Sequence, residues 1–439
     1  MHPTRLRQLA DLPVLGDLIS PAEWSRDLIE ASTRLFGTTR AGLLNAGDDS
    51  LVVLRSKDVR ALSANQDVGN MSTEYLVRRS TQRVSPHGQA ELLKQTGGFE
   101  QTGGFEPFLR NQVFTTNPPL NPRTRRIVAR QLTPRNVYRF APAAERLVQE
   151  VIDECARHDR VEFYRDFAGR FVTRFWAGQL GLTREQAEQA QRLVEEMNLM
   201  FRFSRTPQES RRMDAASAAY MDMVAGAARR AWAAGENELL GEMATDLDQV
   251  DLPGKPGDIG LLVASNFFEG FHTVGVAIAN AVFLLLRDAA AHQRVRAEPE
   301  LVGNAFNEGI RLAPPVMLTH RQALRDLEYD GVFIPAGTPI GMIWAAANRD
   351  PAAFDRADSY ELTRPVQAGA TFGGGAHLCP GRNAARMLTE MALKALTAPG
   401  VEITLAGTEP AWVPNSGLRQ LAGLPVSIRR PGQTGGARS

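Results

Sequence analysis

The sequence predicts a mainly α-helical protein with minor β-sheet regions, and three stretches carry that expectation. Helical segments follow one another from Pro142 to about Ala233, Ile259 to Leu286 is the longest apolar helical pattern, and Arg382 to Leu396 is rich in strong helix formers. Strand signals are short by comparison. The clearest are Leu51-Val-Val-Leu and the segment around Asp330-Gly331.

With 439 residues and no Pro/Ser/Gly-rich linker, the chain reads as a single domain spanning 1–439. Within it, 1–30 is an N-terminal extension and 429–439 a tail expected to be disordered. The formal net charge is +1 with 23% charged residues, which argues against nucleic acid or an acidic membrane surface as the main partner. The only cysteines are Cys155 and Cys379, a usage that suits a reducing compartment. The N-terminus lacks an apolar segment long enough for a signal peptide or anchor, so the expected location is cytoplasmic, with no membrane partner.

In chain order, Leu51-Val-Val-Leu follows the turn-like Asn45-Ala-Gly-Asp-Asp, and a helix is expected from Lys57. Between Asn65 and Phe114 no periodicity stands out. There Gln95-Thr-Gly-Gly-Phe-Glu is repeated at once as residues 101–106, a duplication expected to lengthen a surface loop. The later helices contain two methionine- and aromatic-rich stretches, Met197 to Phe203 and Met213 to Met223, whose side chains adapt to irregular apolar shapes. The long apolar helix has Asp258 as a cap candidate, and Ser265, Asn266, Glu269, His272, Thr273 and Asn280 inside it argue for a core helix over a membrane span. Farther on, Asp330-Gly331 has hairpin-turn chemistry.

The chain is organised around Phe372-Gly-Gly-Gly-Ala-His-Leu-Cys379-Pro-Gly381. Three glycines free the backbone to aim N–H groups at one point, and Pro380 suits the first turn of the helix that follows. A free thiol titrates near about 8.5 and stays protonated unless donors, a helix N-terminus or a metal hold the thiolate. A shielded thiolate on such a loop can ligate haem iron, whereas glycines and a cysteine alone also fit a turn with a buried structural cysteine.

The spacing separates these readings. Phe372, Gly375, Cys379 and Gly381 follow F-x-x-G-x-x-x-C-x-G, with His377 two residues before the cysteine, and here the sequence resembles the haem-binding loop of the cytochrome P-450 family. The resemblance implies that Cys379 is the metal ligand of a haem b, with Phe372, His377 and Gly381 around it. Asn117-Pro-Pro-Leu-Asn121-Pro-Arg-Thr-Arg125 resembles the family's D-P-P-x-H-x-x-x-R segment, so Arg125 takes a propionate-gripping place and Asn121, standing where the family has histidine, is expected to make a weaker, uncharged or water-assisted contact there. Thr319-His-Arg321-Gln-Ala matches R-x-A and implies a second propionate anchor in Arg321.

Glu269-Gly270-Phe271-His272-Thr273 resembles the family's A/G-G-x-D/E-T segment, which crosses the haem where dioxygen binds. Gly270 and Thr273 match. Glu269 and His272 replace the small first residue and the acidic fourth one, and are expected to share the proton delivery of the missing acid. Glu269 lies on the Thr273 face and suggests contact with a polar or cationic substrate group, with arginine or with water, while satisfying a neighbouring donor is an equal alternative. His272 packing away from the pocket is likewise open. Residues expected along the substrate pocket are Met200 in the mobile roof, Phe268, Glu269, Val316, Met317 and Leu418.

Glu308 and Arg311, three apart on a helix, resemble the family's E-x-x-R structural pair. Ser359 stands where an arginine usually completes that group, with Arg356 or Arg349 as candidate replacements. The resemblance, from residue 50 onward, implies a triangular haem-thiolate fold and a monooxygenase that inserts one oxygen of O₂ into a small organic substrate. Electrons would come from a separate ferredoxin or flavodoxin-type donor, docking near Arg125, Arg126, Arg382 and Arg386. Oxidative coupling and peroxide-dependent chemistry stay open within the family, and a non-catalytic haem sensor outside it.

Overall fold

A computed structural model describes residues 6–82, 103–235, 237–250, 258–365, 369–407 and 409–431. It is mainly helical with three small sheets, as the sequence predicts.

The axis of the structure is the helix Ile259–Arg287, capped by Asp258, whose carboxylate accepts from Leu261 N–H at 2.8 Å. It is long and apolar enough to cross a membrane, but most of it is buried inside the molecule. Helices Pro207–Ala233, Gly169–Leu180, Val302–Leu312 and Arg382–Thr397 pack around it and enclose the largest hydrophobic cluster. Burial on nearly all sides explains why its pattern shows no polar stripe.

A five-stranded sheet stands at the side, in the order Leu43–Asn45, Leu51–Val53, Pro339–Met342, Thr319–Ala323, Val68–Asn70. Only the Leu51–Val53 and Pro339–Met342 pair is parallel. The hairpin Leu327–Tyr329 and Val332–Ile334 turns at Asp330 and Gly331, both at positive φ, as their chemistry predicts. The N-terminal extension is docked: Ile19, Leu28 and Ile29 share a core cluster with Leu44, Leu54, Met317 and Ala345.

Three expectations change. The aperiodic stretch from Asn65 contains strand Val68–Asn70 and helices Thr73–Gln82 and Phe105–Arg110, each too short or too polar to show a clear period. The second QTGGFE copy ends in packed structure, because Gly103, Gly104 and Phe105 donate their N–H groups to Asp214 and Phe105 is buried. Residues 83–102, with the first copy, lie outside the described residues. At the other end, Arg429 closes the strand Pro425–Arg429 and Arg430 pairs with Asp153, and the expected disordered tail beyond Pro431 lies outside the described residues.

Candidate active site

A cavity of about 420 Å³ lies between the long helix, the sheet edge and the cysteine loop, in the size range of small-molecule sites. Its floor is the stretch Thr371–Gly373, His377 and Cys379–Gly381. Gly375 takes φ +59, and a Cβ there would stand 2.6 Å from Ser63 O, so only glycine lets this loop lie against helix Ser56–Ala64. Several loop N–H groups are spent on nearby carbonyls: Cys379 N–H donates to Phe372 O at 2.8 Å and Leu378 N–H to Gly375 O at 3.2 Å. The expected nest of donors therefore reduces to the Gly381 N–H, which favours the thiolate. Pro380 lies just before the helix Arg382–Thr397, not inside it.

Burial pushes the Cys379 thiol up; the Gly381 N–H and Arg125 oppose it, and Glu269 across the cavity adds to it. Arg125 donates to Leu378 O and Arg321 lies on strand Thr319–Ala323, and both face the cavity. Neither makes an ion pair among the described residues. Burial and the charge of Arg125 lower Arg321 to about 10, and burial with both arginines lowers His377 to about 4. Two inward cations without a carboxylate are a place for anionic groups. Asn121 does not join them, since it is buried and donates to Val113 O at 2.5 Å.

The upper wall is the face of the long helix carrying Asn266, Phe267, Glu269, Gly270, Thr273 and Val274. Thr273 Oγ1 donates to Glu269 O at 2.5 Å, a bond within one helical turn. Glu269 is half-buried and lines the cavity. Its burial drives the carboxyl up to about 8, with Gln112 the neighbouring side chain that works against the shift. A Cβ on Gly270 would stand 3.0 Å from Trp176 Nε1, so the missing side chain makes room for an indole as well as for whatever occupies the cavity. The Trp176 N–H itself has no partner.

Two neighbours on that helix point elsewhere. His272 is 1% exposed, lies edge-on to Tyr164 with ring centroids 5.6 Å apart, and is lowered to about 3 by burial, so it is neutral and outside the cavity. Phe268 packs edge-on against Phe108 and Tyr220. The roof is split in the same way. Met200, Phe201 and Phe203 line the cavity, whereas Met213 and Met221 belong to the helix core. Val316 and Leu318 line it and Met317 points into the N-terminal cluster, because alternate residues of an extended segment face opposite ways. Gly417 lines it too, its N–H donating to Phe201 O at 2.8 Å, while Leu418 is buried outside. Tyr75, Leu109, Gln112 and Trp176 also line it, none of them marked by spacing in the sequence.

Below the cavity, Arg311 meets Glu308 at 2.7 and 2.8 Å and donates to the carbonyls of Asn348, Ala357 and Ser359. The third member is Arg364, whose side chain is 9% exposed and whose Nε lies 3.2 Å from Glu308. Arg356 pairs instead with Glu361 and Arg349 with Asp358, so neither replaces the missing arginine.

Comparison with known proteins agrees with this arrangement. A family model described as Cytochrome P450 matches residues 254–396. Cytochrome p450 CYP199A2 of Rhodopseudomonas palustris is 31% identical over 323 residues, 72% of this chain and 76% of that protein. The 6-deoxyerythronolide B hydroxylase of Saccharopolyspora erythraea is 25% identical over 323 residues, 73% of this chain and 79% of its own. Among solved structures, CalO2 superposes with a TM-score of 0.78 at 24% identity, covering 94% of this chain and 98% of that one, which speaks to the fold.

Proposed function

The chain belongs to the cytochrome P450 family, and from that premise we propose that it is a monooxygenase in which Cys379 holds the haem iron and a small, largely apolar organic substrate lies under the Met200–Phe203 roof. Members of the family bind haem b through a cysteine thiolate, and the residues here fit that group. Arg125 and Arg321 are inward cations that want the propionates, and the Cys379 thiol is so desolvated that a metal is what makes its thiolate favourable. The single observation that carries the reading is Cys379 on the cavity floor facing Glu269, Gly270 and Thr273 across it.

When bound, the haem supplies activation of O₂, with one oxygen atom going to the substrate and the other to water at the cost of two electrons and two protons. The chain's part is positioning and proton supply. The Thr273 hydroxyl, its proton committed to Glu269 O, offers the cavity an acceptor lone pair. Glu269, titrating near about 8, is protonated at neutral pH and is the acid of the cavity wall. His272 is left out of the proton path, since its ring is buried behind the helix.

Electrons come from a separate partner, read as a ferredoxin or flavodoxin. Support for its docking face is the exposed Arg123, Arg126 and Arg386 on the cysteine side, whereas Arg125 is turned inward. Residues 1–439 are read as one catalytic domain and the protein as cytoplasmic. Cys379→Ser tests the core of the reading: the mutant should lose the strongly red-shifted reduced carbon monoxide spectrum of a thiolate-ligated haem, and its retention would remove Cys379 as ligand. Glu269→Gln should uncouple electron consumption from product while His272→Phe leaves coupling unchanged; the reverse pattern would return the proton path to His272.

A further inference from the structure

Beside the roof of the cavity stands a buried cation that the chemistry above does not use. Arg205 is 4% exposed and donates only to neutral acceptors: Ser80 O and Oγ, each at 2.6 Å, on the helix Thr73–Gln82, Leu199 O at 3.1 Å and Ser210 Oγ at 3.3 Å. Glu209 makes no ion pair with it among the described residues, its carboxylate being spent on the helix cap at Thr206. A buried charge without a counterion is costly, and an anion that can approach relieves it. Ser80 is the member of this group that lines the cavity. Its hydroxyl oxygen accepts from Arg205, and the hydroxyl proton has no acceptor among the described residues, so it is available to a ligand. The preceding residue, Arg79, lines the cavity as well. Its partner Asp48 lies 3.7 Å away, with the two side chains 40% and 54% exposed, a pair that holds the arginine weakly.

Resting on the monooxygenase reading, we propose that Arg79 and the Ser80 hydroxyl, with the Arg205 charge behind it, recognise a carboxylate of the substrate. The substrate is then an apolar body with one anionic end. The rest of the wall suits the body, since Leu76, Phe201, Phe203 and Val316 line it. The other charged groups of the lining do not compete. Arg125 and Arg321 belong to the haem propionates in that reading, and Glu269 is protonated at neutral pH and does not repel an anion. A carboxylate accepts from a guanidinium and a hydroxyl at once, and charge-assisted bonds of this kind are about twice as strong as neutral ones. A neutral carbonyl would satisfy the Ser80 hydroxyl and leave both guanidinium charges uncompensated.

The test uses the haem-loaded enzyme with decanoate and decanamide, which share one shape and differ in charge. Binding is read from the spectral shift on displacing the sixth-position water, and in parallel by equilibrium dialysis. At neutral pH and low salt, wild type should bind decanoate about tenfold or more tighter than decanamide, and the preference should shrink as salt is added, because Arg79 is partly exposed. Arg79→Met, close in length and uncharged, should bring the two within about threefold while keeping the thiolate spectrum, and Ser80→Ala should weaken decanoate several-fold. Arg205→Met should lose part of the preference that Arg205→Lys keeps, a split that a purely structural role would not give. Equal binding in wild type, or a preference that persists in Arg79→Met, overturns the proposal. A wild-type protein without the thiolate spectrum but with the decanoate preference intact by dialysis overturns only the monooxygenase reading.

Discussion

Arg364 is the least expected structural contact, and Arg364→Leu is the substitution that measures it. In wild type, Glu308 is held by the two-pronged Arg311 contact at 2.7 and 2.8 Å, by Glu361 N–H at 3.0 Å and by Arg364 at 3.2 Å. The Arg364 guanidinium also donates to Asp355 O at 2.7 Å, tying the segment at Asp355, ahead of the cysteine loop, to the buried pair. Breaking a buried ion pair costs about 3–5 kcal/mol. Because Glu308 keeps two partners, the lower end applies, about 3 kcal/mol from a total that for native proteins is roughly 5–15 kcal/mol. The comparison is Arg356→Leu, whose side chain is 68% exposed and pairs at the surface with Glu361, and which should cost no more than about 1 kcal/mol. Urea unfolding followed by far-UV circular dichroism gives both numbers, and the fraction of protein keeping the thiolate-type carbon monoxide spectrum reports the haem loop separately. An Arg364→Leu protein within about 0.5 kcal/mol of wild type, or an Arg356→Leu protein that loses as much, would refute Arg364 as the completing cation.

Gly270→Val should lower both stability and haem content, because the first added carbon already lies 3.0 Å from Trp176 Nε1; about 1–3 kcal/mol is expected, and Trp176→Phe in the same chain should recover part of it in the unfolding midpoint. Glu269 makes stability depend on pH. Its folded value near about 8 lies above the ordinary 4.5, so its contribution is fully present below pH 4.5 and lost as pH rises through 8. Unfolding at pH 5 and pH 8.5 should therefore show wild type losing more stability than Glu269→Gln on the way up, and parallel losses would place the carboxyl in a wetter setting. Charge reversal in Arg126→Glu should slow reduction by an acidic electron donor several-fold at low salt, with the difference shrinking as salt is added, while substrate affinity is unchanged. An unchanged rate in stopped flow would move the docking face elsewhere.

How much of the site could be read in advance follows from where its information lies. Cys379, Gly381, Glu308, Arg311, Gly270 and Thr273 sit in short stretches whose spacing is itself the signal, because one loop or one helical turn places them. The long helix was equally legible, since twenty-nine residues with so few charges fit only a core or a bilayer. Gln112 lies where the sequence shows no period, and only the clamp from Asn266, far along the chain, brings it to the cavity wall. Arg364 was missed because sequence neighbours of Ser359 were the natural replacements, whereas the chain reaches Glu308 only after a further turn.

The sequence alone therefore determined the helical class, the cysteine that can hold iron and the helix that faces it, since local spacing and backbone freedom encode those. Which way a side chain points was decided by tertiary packing: Glu269 faces the cavity and His272 is turned behind the helix against Tyr164, although they stand only three positions apart. A periodic pattern states that a helix has faces. Only the elements packed around it decide which face meets a cavity and which meets the core.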